Sequence, residues 1–251
     1  MKKNLLTQCL QETELAVHAL PIDPVYKTFS SSITRTKLPY LGTKMPDLNH
    51  LVRQGFSFYT RTDKEILCIW DHIWKHATSH DAMNLPLIYY RSHQDKLTKD
   101  LFPTLKRWFD RVESWGHSDQ FCQIYSILYE RFPKTIEPTL FQWNRDKNPW
   151  KQRASIVSTI YYASKNRKPP SRTTVLELVT PLLESKDPYI QKAVGWQLRE
   201  AYKLWPKQIL TFLHQHATHL SAISFSYATE KLTKDIKVQL KERRKMYRQT
   251  K

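Results

Sequence analysis

The first residues with a spacing that suggests chemistry are His72, His76 and His80, at i, i+4 and i+8. On one helix face that interval would offer three imidazoles to a metal ion. No cysteine or carboxylate completes a familiar ligand set with them, so they read as a polar stripe. His117, Ser118 and Asp119 supply the residue types of a base, a nucleophile and an orienting acid. Adjacency in sequence, however, does not build the geometry of a relay. Cys9, Cys68 and Cys122 are odd in number, far apart and lack Cys-x-x-Cys spacing. Neither a disulfide framework nor a zinc cluster is expected, and a reducing cytosol is the expected compartment. No lysine stands out as a Schiff-base former, so no lyase step is expected. Only 4 glycines occur in 251 residues, and no Gly-rich phosphate loop is present. That argues against doubly wound nucleotide folds and hairpin-dense β folds.

What remains is charge and aromatic surface. Forty Lys+Arg against 23 Asp+Glu leave a formal charge of +17, and the chain has 8 Trp, 13 Tyr and 10 Phe. A surplus of that size calls for a polyanionic partner. The cations are spread along the chain; only Lys241-Glu242-Arg243-Arg244-Lys245-Met246-Tyr247-Arg248 forms a run. A body basic throughout reads as a face that follows a phosphate backbone. The opening Met1-Lys2-Lys3-Asn4-Leu5-Leu6 starts like a signal peptide, but Gln8, Gln11, Glu12 and Glu14 interrupt any apolar stretch. An amphipathic helix is expected there, and no membrane span or membrane partner.

The elements that must carry these groups are helical. Apolar residues recur at three- and four-residue spacing, as in Ile66, Ile69, Trp70, Ile73 and Trp74, or Phe121, Ile124, Tyr125, Leu128 and Tyr129. Prolines fall between such sets, several suited to a first helical turn. The pattern predicts about a dozen helices, with 21–45 the least regular stretch and 165–171 a loop. Asn148-Pro149-Trp150-Lys151-Gln152-Arg153-Ala154 matches Asp187-Pro188-Tyr189-Ile190-Gln191-Lys192-Ala193 at an offset of 187 − 148 = 39. That period is the length of a two-helix repeat of the HEAT type. The expected fold is all-α, a right-handed solenoid of antiparallel helix pairs with a concave basic face suited to a duplex. One domain is expected over 1–251, closed by a basic helix at about 235–251. Trp70, Trp74, Trp108, Trp143 and Trp205 read as core.

Four stretches in order resemble one family. They are Tyr40-Leu41-Gly42-Thr43-Lys44-Met45-Pro46-Asp47-Leu48, Ser114-Trp115-Gly116-His117-Ser118-Asp119, Pro149-Trp150-Lys151-Gln152-Arg153-Ala154 and Gln191-Lys192-Ala193-Val194-Gly195-Trp196-Gln197-Leu198-Arg199-Glu200. Together they are similar to the bacterial HEAT-like-repeat alkylpurine DNA glycosylases of the AlkD type, with the likeness running from about 40 to about 230. The resemblance implies a helical solenoid that cradles duplex DNA. It also implies a monofunctional hydrolase, cleaving the N-glycosidic bond of cationic N3- or N7-alkylated purines, as a monomer without metal or organic cofactor. By it, Trp115, Asp119, Arg153 and Trp196 fall on active-site positions, and Lys44, Lys151, Lys192 and Arg199 are expected to contact DNA. The departure is Gly116, where the family commonly has an acid.

Elementary chemistry gives those residues plausible roles. An alkylated purine is already cationic and leaves without a general acid, while positive charge builds on the sugar. Asp119 would stabilise that charge and orient water. Trp115 and Trp196 would grip the cationic nucleotide, and Arg153 would anchor a backbone phosphate. If Ser118 were the N-cap, Asp119 would open its helix, and the dipole would keep it ionised. Gly195 reads as a close helix contact. Two other functions fit the same composition: a non-catalytic nucleic-acid-binding or damage-sensing scaffold, which Gly116 motivates, and a solenoid for an acidic protein partner.

Overall fold

The computed structural model describes residues 3–34, 36–162 and 167–249, with Arg248 lacking a described side chain. Lys165 and Asn166 of the expected loop, and Thr250 and Lys251 of the expected last helix, lie outside these residues. All regular structure among the described residues is helical: fourteen α-helices and five short 3-10 turns. The chain divides into two compact units, Met1–Leu128 and Tyr129–Lys251. The first holds α1 (Lys3–His18), α2 (Pro24–Thr34), α3 (Met45–Gln54), α4 (Asp63–His76), α5 (His80–Ser92), α6 (Phe102–Trp108) and most of α7 (Trp115–Arg131). The second holds α8 (Pro133–Asn144), α9 (Pro149–Val157), α10 (Arg172–Val179), α11 (Pro188–Leu204), α12 (Pro206–His216), α13 (Ala222–Ala228) and α14 (Lys234–Gln249).

Helix starts follow the side chains that can hold exposed N–H groups. Asp23 accepts the Val25 and Tyr26 N–H groups at 3.0 Å each, ahead of Pro24. Thr62 and Glu65 form a reciprocal capping box on α4. Asn148 accepts from Trp150 N–H at 2.9 Å, and Asp187 accepts from Tyr189 and Ile190 N–H at 2.8 and 3.1 Å. Proline opens α2, α8, α9, α11 and α12. Pro86 and Pro138, by contrast, lie inside α5 and α8, where packing outweighs the lost backbone bond. The stretch 21–45 also departs from expectation, because α2 occupies its middle. The helix is Ser-rich and turned inside out: Ser30 and Thr34 are buried, while Val25 and Phe29 face solvent at 79% and 60% exposure.

In the first unit, Trp70, Trp74 and Trp108 are buried as expected. Trp74 Nε1 donates to the Trp108 carbonyl at 2.9 Å, and Trp108 Nε1 to Asp71 Oδ1 at 2.7 Å, whereas the Trp70 N–H is buried without a partner among the described residues. Arg111 donates to the carbonyls of Trp74 and Ala77, closing the C-terminal end of α4. The three spaced histidines do not share a helix. The α4 helix ends at His76, Ser79 caps α5, and His80 is buried in the first turn of α5. Its ring stacks on His117 at 4.0 Å and on Tyr40 at 4.9 Å. Its Nε2 lies 3.1 Å from Ser114 Oγ, and His117 Nε2 donates to the His80 carbonyl at 3.1 Å. Burial pushes His80 down to about 4 against a weak opposing pull from Glu113. His117 is pushed well down by burial and by His80. Both rings are therefore neutral in the fold.

In the second unit, Trp143 is buried, but Trp205 is half-buried rather than core, because it joins α11 to α12 as cap of both. The two matching openings pack together: the Trp150 and Tyr189 rings lie 4.9 Å apart where α9 meets α11. Gly195 lets α11 meet α13. A Cβ there would sit 2.5 Å from Tyr227 Cβ and 2.6 Å from the Ser224 carbonyl oxygen. At Gly116 a Cβ would make only ordinary contacts, 3.5 Å from the His80 ring.

Two outcomes follow for stability. Gly195→Ala is expected to cost about 1–3 kcal/mol through overpacking against backbone. Gly116→Ala should be neutral or gain up to about 1 kcal/mol; urea denaturation of the two variants checks the contrast. For pH, an unfolded histidine takes a proton near its ordinary value, and the folded His80 resists until about pH 4. Stability is therefore full above about pH 6.5 and falls as pH drops toward 4, by about 1.4 kcal/mol per unit and per buried histidine. Denaturation at about pH 7.5 and about pH 5.5 should show this loss, and His80→Gln should reduce it. A pH-independent midpoint would contradict the neutral pair.

Candidate functional site

The first unit presents Trp115 and Asp119 four residues apart on α7, hence on one helix face. Both are half-buried. Ser114 caps the helix: its hydroxyl accepts from His117 N–H at 3.3 Å and its carbonyl from Ser118 N–H at 3.1 Å. Ser118 is therefore not the N-cap. It is a buried interior residue, and Asp119 lies one turn in, where the pull of the helix dipole has largely faded. Trp115 Nε1 donates to the Ile33 carbonyl of α2 at 3.0 Å, which fixes the ring through its polar edge. Beneath this turn lies the neutral His80–His117 pair. An acid at position 116 would have to share space with the His80 ring and with Ser114 Oγ, 3.8 Å from a Cβ there.

Two carboxylates that the sequence did not single out hold the neighbouring chain. Asp81 is buried and accepts Leu41 N–H at 2.8 Å and Thr43 N–H at 3.1 Å, pinning the strap around Gly42. Burial raises its proton affinity, opposed by those two bonds. Gly42 needs its glycine, with φ +97° and Lys27 Cβ 2.7 Å from where a side chain would start. Glu113 accepts from Thr36 Oγ1 at 2.7 Å and from the N–H groups of Lys37 and Leu38 at 2.5 and 3.2 Å. Both acids follow the pattern of a helix-end carboxylate, and only their distant partners reveal the role.

The second unit brings Arg153 and Trp196 together. Arg153 is 5% exposed and donates through Nη1 to the Tyr189 carbonyl at 2.6 Å. Its guanidinium carbon lies 6.0 Å from the Trp196 ring centre, at the edge of cation–π range. Trp196 is half-buried and borders a cavity of about 480 Å³ with Tyr161, Tyr162 and Glu200. The four cations expected to meet DNA differ in their commitments. Lys44 pairs with Asp23 at 2.9 Å, Lys151 with Asp146 at 3.6 Å, and Arg199 with Glu200 and Glu230 at 3.0 and 2.5 Å. Lys192 is exposed, its ammonium 6.0 Å from the Tyr189 ring centre.

Comparison with known proteins gives a consistent result. The model of a family described as DNA alkylation repair enzyme matches residues 18–232. No curated protein matches the sequence. Three solved structures are similar in fold. One, described as a predicted DNA alkylation repair enzyme from Enterococcus faecalis, has a TM-score of 0.73 at 15% identity, over 86% of this chain and 98% of that one. AlkD2 from Streptococcus mutans has a TM-score of 0.57 at 13% identity, over 84% and 98% of the two chains. Pseudomonas fluorescens alkylpurine DNA glycosylase AlkC, bound to DNA with an abasic-site analog, has a TM-score of 0.56 at 12% identity. That match covers 94% of this chain and 65% of AlkC. At these identities the structures show a shared HEAT-like helical-repeat fold. The family match, over most of the sequence and spanning Trp115, Asp119, Arg153 and Trp196, goes further: this chain belongs to the DNA alkylation repair enzymes.

Proposed function

We propose that the protein is a monofunctional DNA glycosylase that releases cationic N3- or N7-alkylated purines from duplex DNA. The observation that carries this reading is the Trp115–Asp119 pair on one face of α7, in a member of an alkylation-repair family. The DNA-bound state of the AlkC neighbour supports the choice of partner. The substrate's own charge makes its base a ready leaving group, so the protein needs to stabilise the sugar cation rather than protonate the base. Asp119 is the group for that task, with water directed to the sugar carbon from the same carboxylate. Trp115, locked by its bond to Ile33, offers an indole of fixed position to a cationic nucleotide. Trp196 offers a second, and Arg153 acts on it as a positioning residue. Its Nη1 is committed to Tyr189, which leaves a phosphate contact as a secondary role.

Release of 3-methyladenine or 7-methylguanine from methylated duplex tests the proposal. Asp119→Asn should slow release by about 100-fold or more, the range for losing one preorganised charge stabiliser, while duplex affinity is kept. A wild-type protein that saturates the duplex with steep salt dependence yet releases no base would favour the scaffold reading that Gly116 motivates.

A second set of variants separates site from core. Trp115→Ala and Trp196→Ala should lower base release more than duplex affinity. Arg153→Ala should follow Trp196→Ala in rate, and the double variant should be no slower than the worse single. Additive losses would reject a positioning role for Arg153. Thermal melting that falls in proportion to activity would make both indoles structural.

A further inference from the structure

A cleft in the first unit, remote in sequence from Trp115 and Asp119, has the composition of a ligand site. It has a volume of about 500 Å³, within the range of about 300–1,000 Å³ usual for small-molecule sites. Ile66 and Leu67 of α4 and Leu101 line it as apolar wall. Its inner surface includes Tyr89 and Tyr90 at the end of α5, whose rings lie 5.1 Å apart at 87°, forming an aromatic corner. These two residues are only 2% and 3% exposed. Neither hydroxyl has a hydrogen-bond partner among the described residues. Both residues line the cleft and neither hydroxyl is a fully enclosed atom, so a group entering the cleft has a ready hydrogen-bonding position.

The rim decides the sign of that group. Asp63, Asp95 and Asp100 border the cleft against Lys64 and Lys96, which gives −3 + 2 = −1 in a chain of +17. Lys96 is engaged by Asp63, while Asp95 and Asp100 have no ion pair among the described residues. Burial raises the proton affinity of Tyr89, Lys96 lowers it, and Asp63 and Asp95 raise it further. That places the phenol in the field of the rim carboxylates. An anion is disfavoured twice over: carboxylates meet it at the mouth, and the Thr62–Glu65 box already occupies the start of α4. A metal ion is disfavoured because no group of three His, Cys, Asp or Glu among the described residues is placed to hold one. Carboxylates at the mouth above an apolar, phenol-floored hollow are the two features that suit an organic cation.

We propose that this cleft binds an alkylammonium group, its charge between Asp95 and Asp100 and its apolar stem against Tyr89 and Tyr90. The source is either a free amine or the lysine side chain of a partner protein, and the chemistry is the same for both. The site needs no DNA, so it stands or falls apart from the glycosylase reading.

The test is titration of the full chain with butylammonium, followed by methyl NMR of Ile66, Leu67 and Leu101, with butanol as the neutral control. Saturable shifts at these methyls are expected at millimolar amine or below, with butanol at least about tenfold weaker. Asp95→Asn combined with Asp100→Asn should weaken the amine at least about tenfold, and Tyr90→Phe several-fold without loss of fold in the same spectra. A parallel titration with an end-blocked lysine peptide assigns the source: tighter binding than butylammonium points to a partner protein, equal or weaker binding to a free amine. Equal binding of amine and butanol would reduce the site to a greasy hollow and overturn the proposal. So would the absence of saturable shifts, or an amine affinity untouched by the double substitution.

Discussion

Two imidazoles stacked at 4.0 Å and held neutral by burial set the position of α7, and much of the first unit is arranged around them. His80 supplies the carbonyl that receives the His117 N–H, and Ser114, which caps α7, reaches back to the His80 ring. The next residue in chain order, Asp81, pins the strap at 41–43. One turn of α5 thus ties together the strap and the start of the helix that carries Trp115 and Asp119. The arrangement requires uncharged rings, because a protonated pair at this distance would repel itself in a site with little solvent.

The second unit solves the same positioning problem with backbone. Here the repeated opening of α9 and α11 matters more than any charge: each helix begins with a side-chain cap, a proline and an aromatic ring, and the two rings meet. That contact sets Tyr189 beside α9, where its carbonyl receives Arg153. Further along α11, the bare Cα of Gly195 admits α13, and the residue that follows is Trp196. A bulkier residue at 195 would push α13 away and move the indole with its helix.

Much of this was legible in sequence, and the failures have identifiable causes. Three- and four-residue periodicity gave the helices, because most of them bury one apolar stripe, and four of the five tryptophans read as core are buried. The α2 helix was hidden because it exposes Val25 and Phe29 and buries Ser30, reversing the usual pattern. The i, i+4, i+8 histidines misled because spacing counts residues and ignores a break, here at Ala77-Thr78-Ser79. Ser118 looked like a cap because Ser before Asp is a common helix opening; the actual cap is four residues earlier, beyond a tryptophan. Asp81 and Glu113 could not be read as clamps, since their partners lie 38 to 77 positions away, in loops without a pattern.

The charge of the chain also takes a different meaning once its pairs are visible. Lys44, Lys151 and Arg199 each answer a carboxylate of the same chain, so their contribution to a polyanion's attraction is partly cancelled before any partner arrives. The Lys44–Asp23 pair is the exposed one, worth little to stability and easily exchanged, whereas the Lys151 and Arg199 pairs are partly buried. A duplex that displaced the acids would release the cations and leave the carboxylates to solvent. On the glycosylase reading proposed above, the pairs would act as a filter: a weak or isolated anion would not compete with the resident acid, whereas a regular array of phosphates would. Lys192, set over a tyrosine ring instead of an acid, would need no such exchange on that same reading.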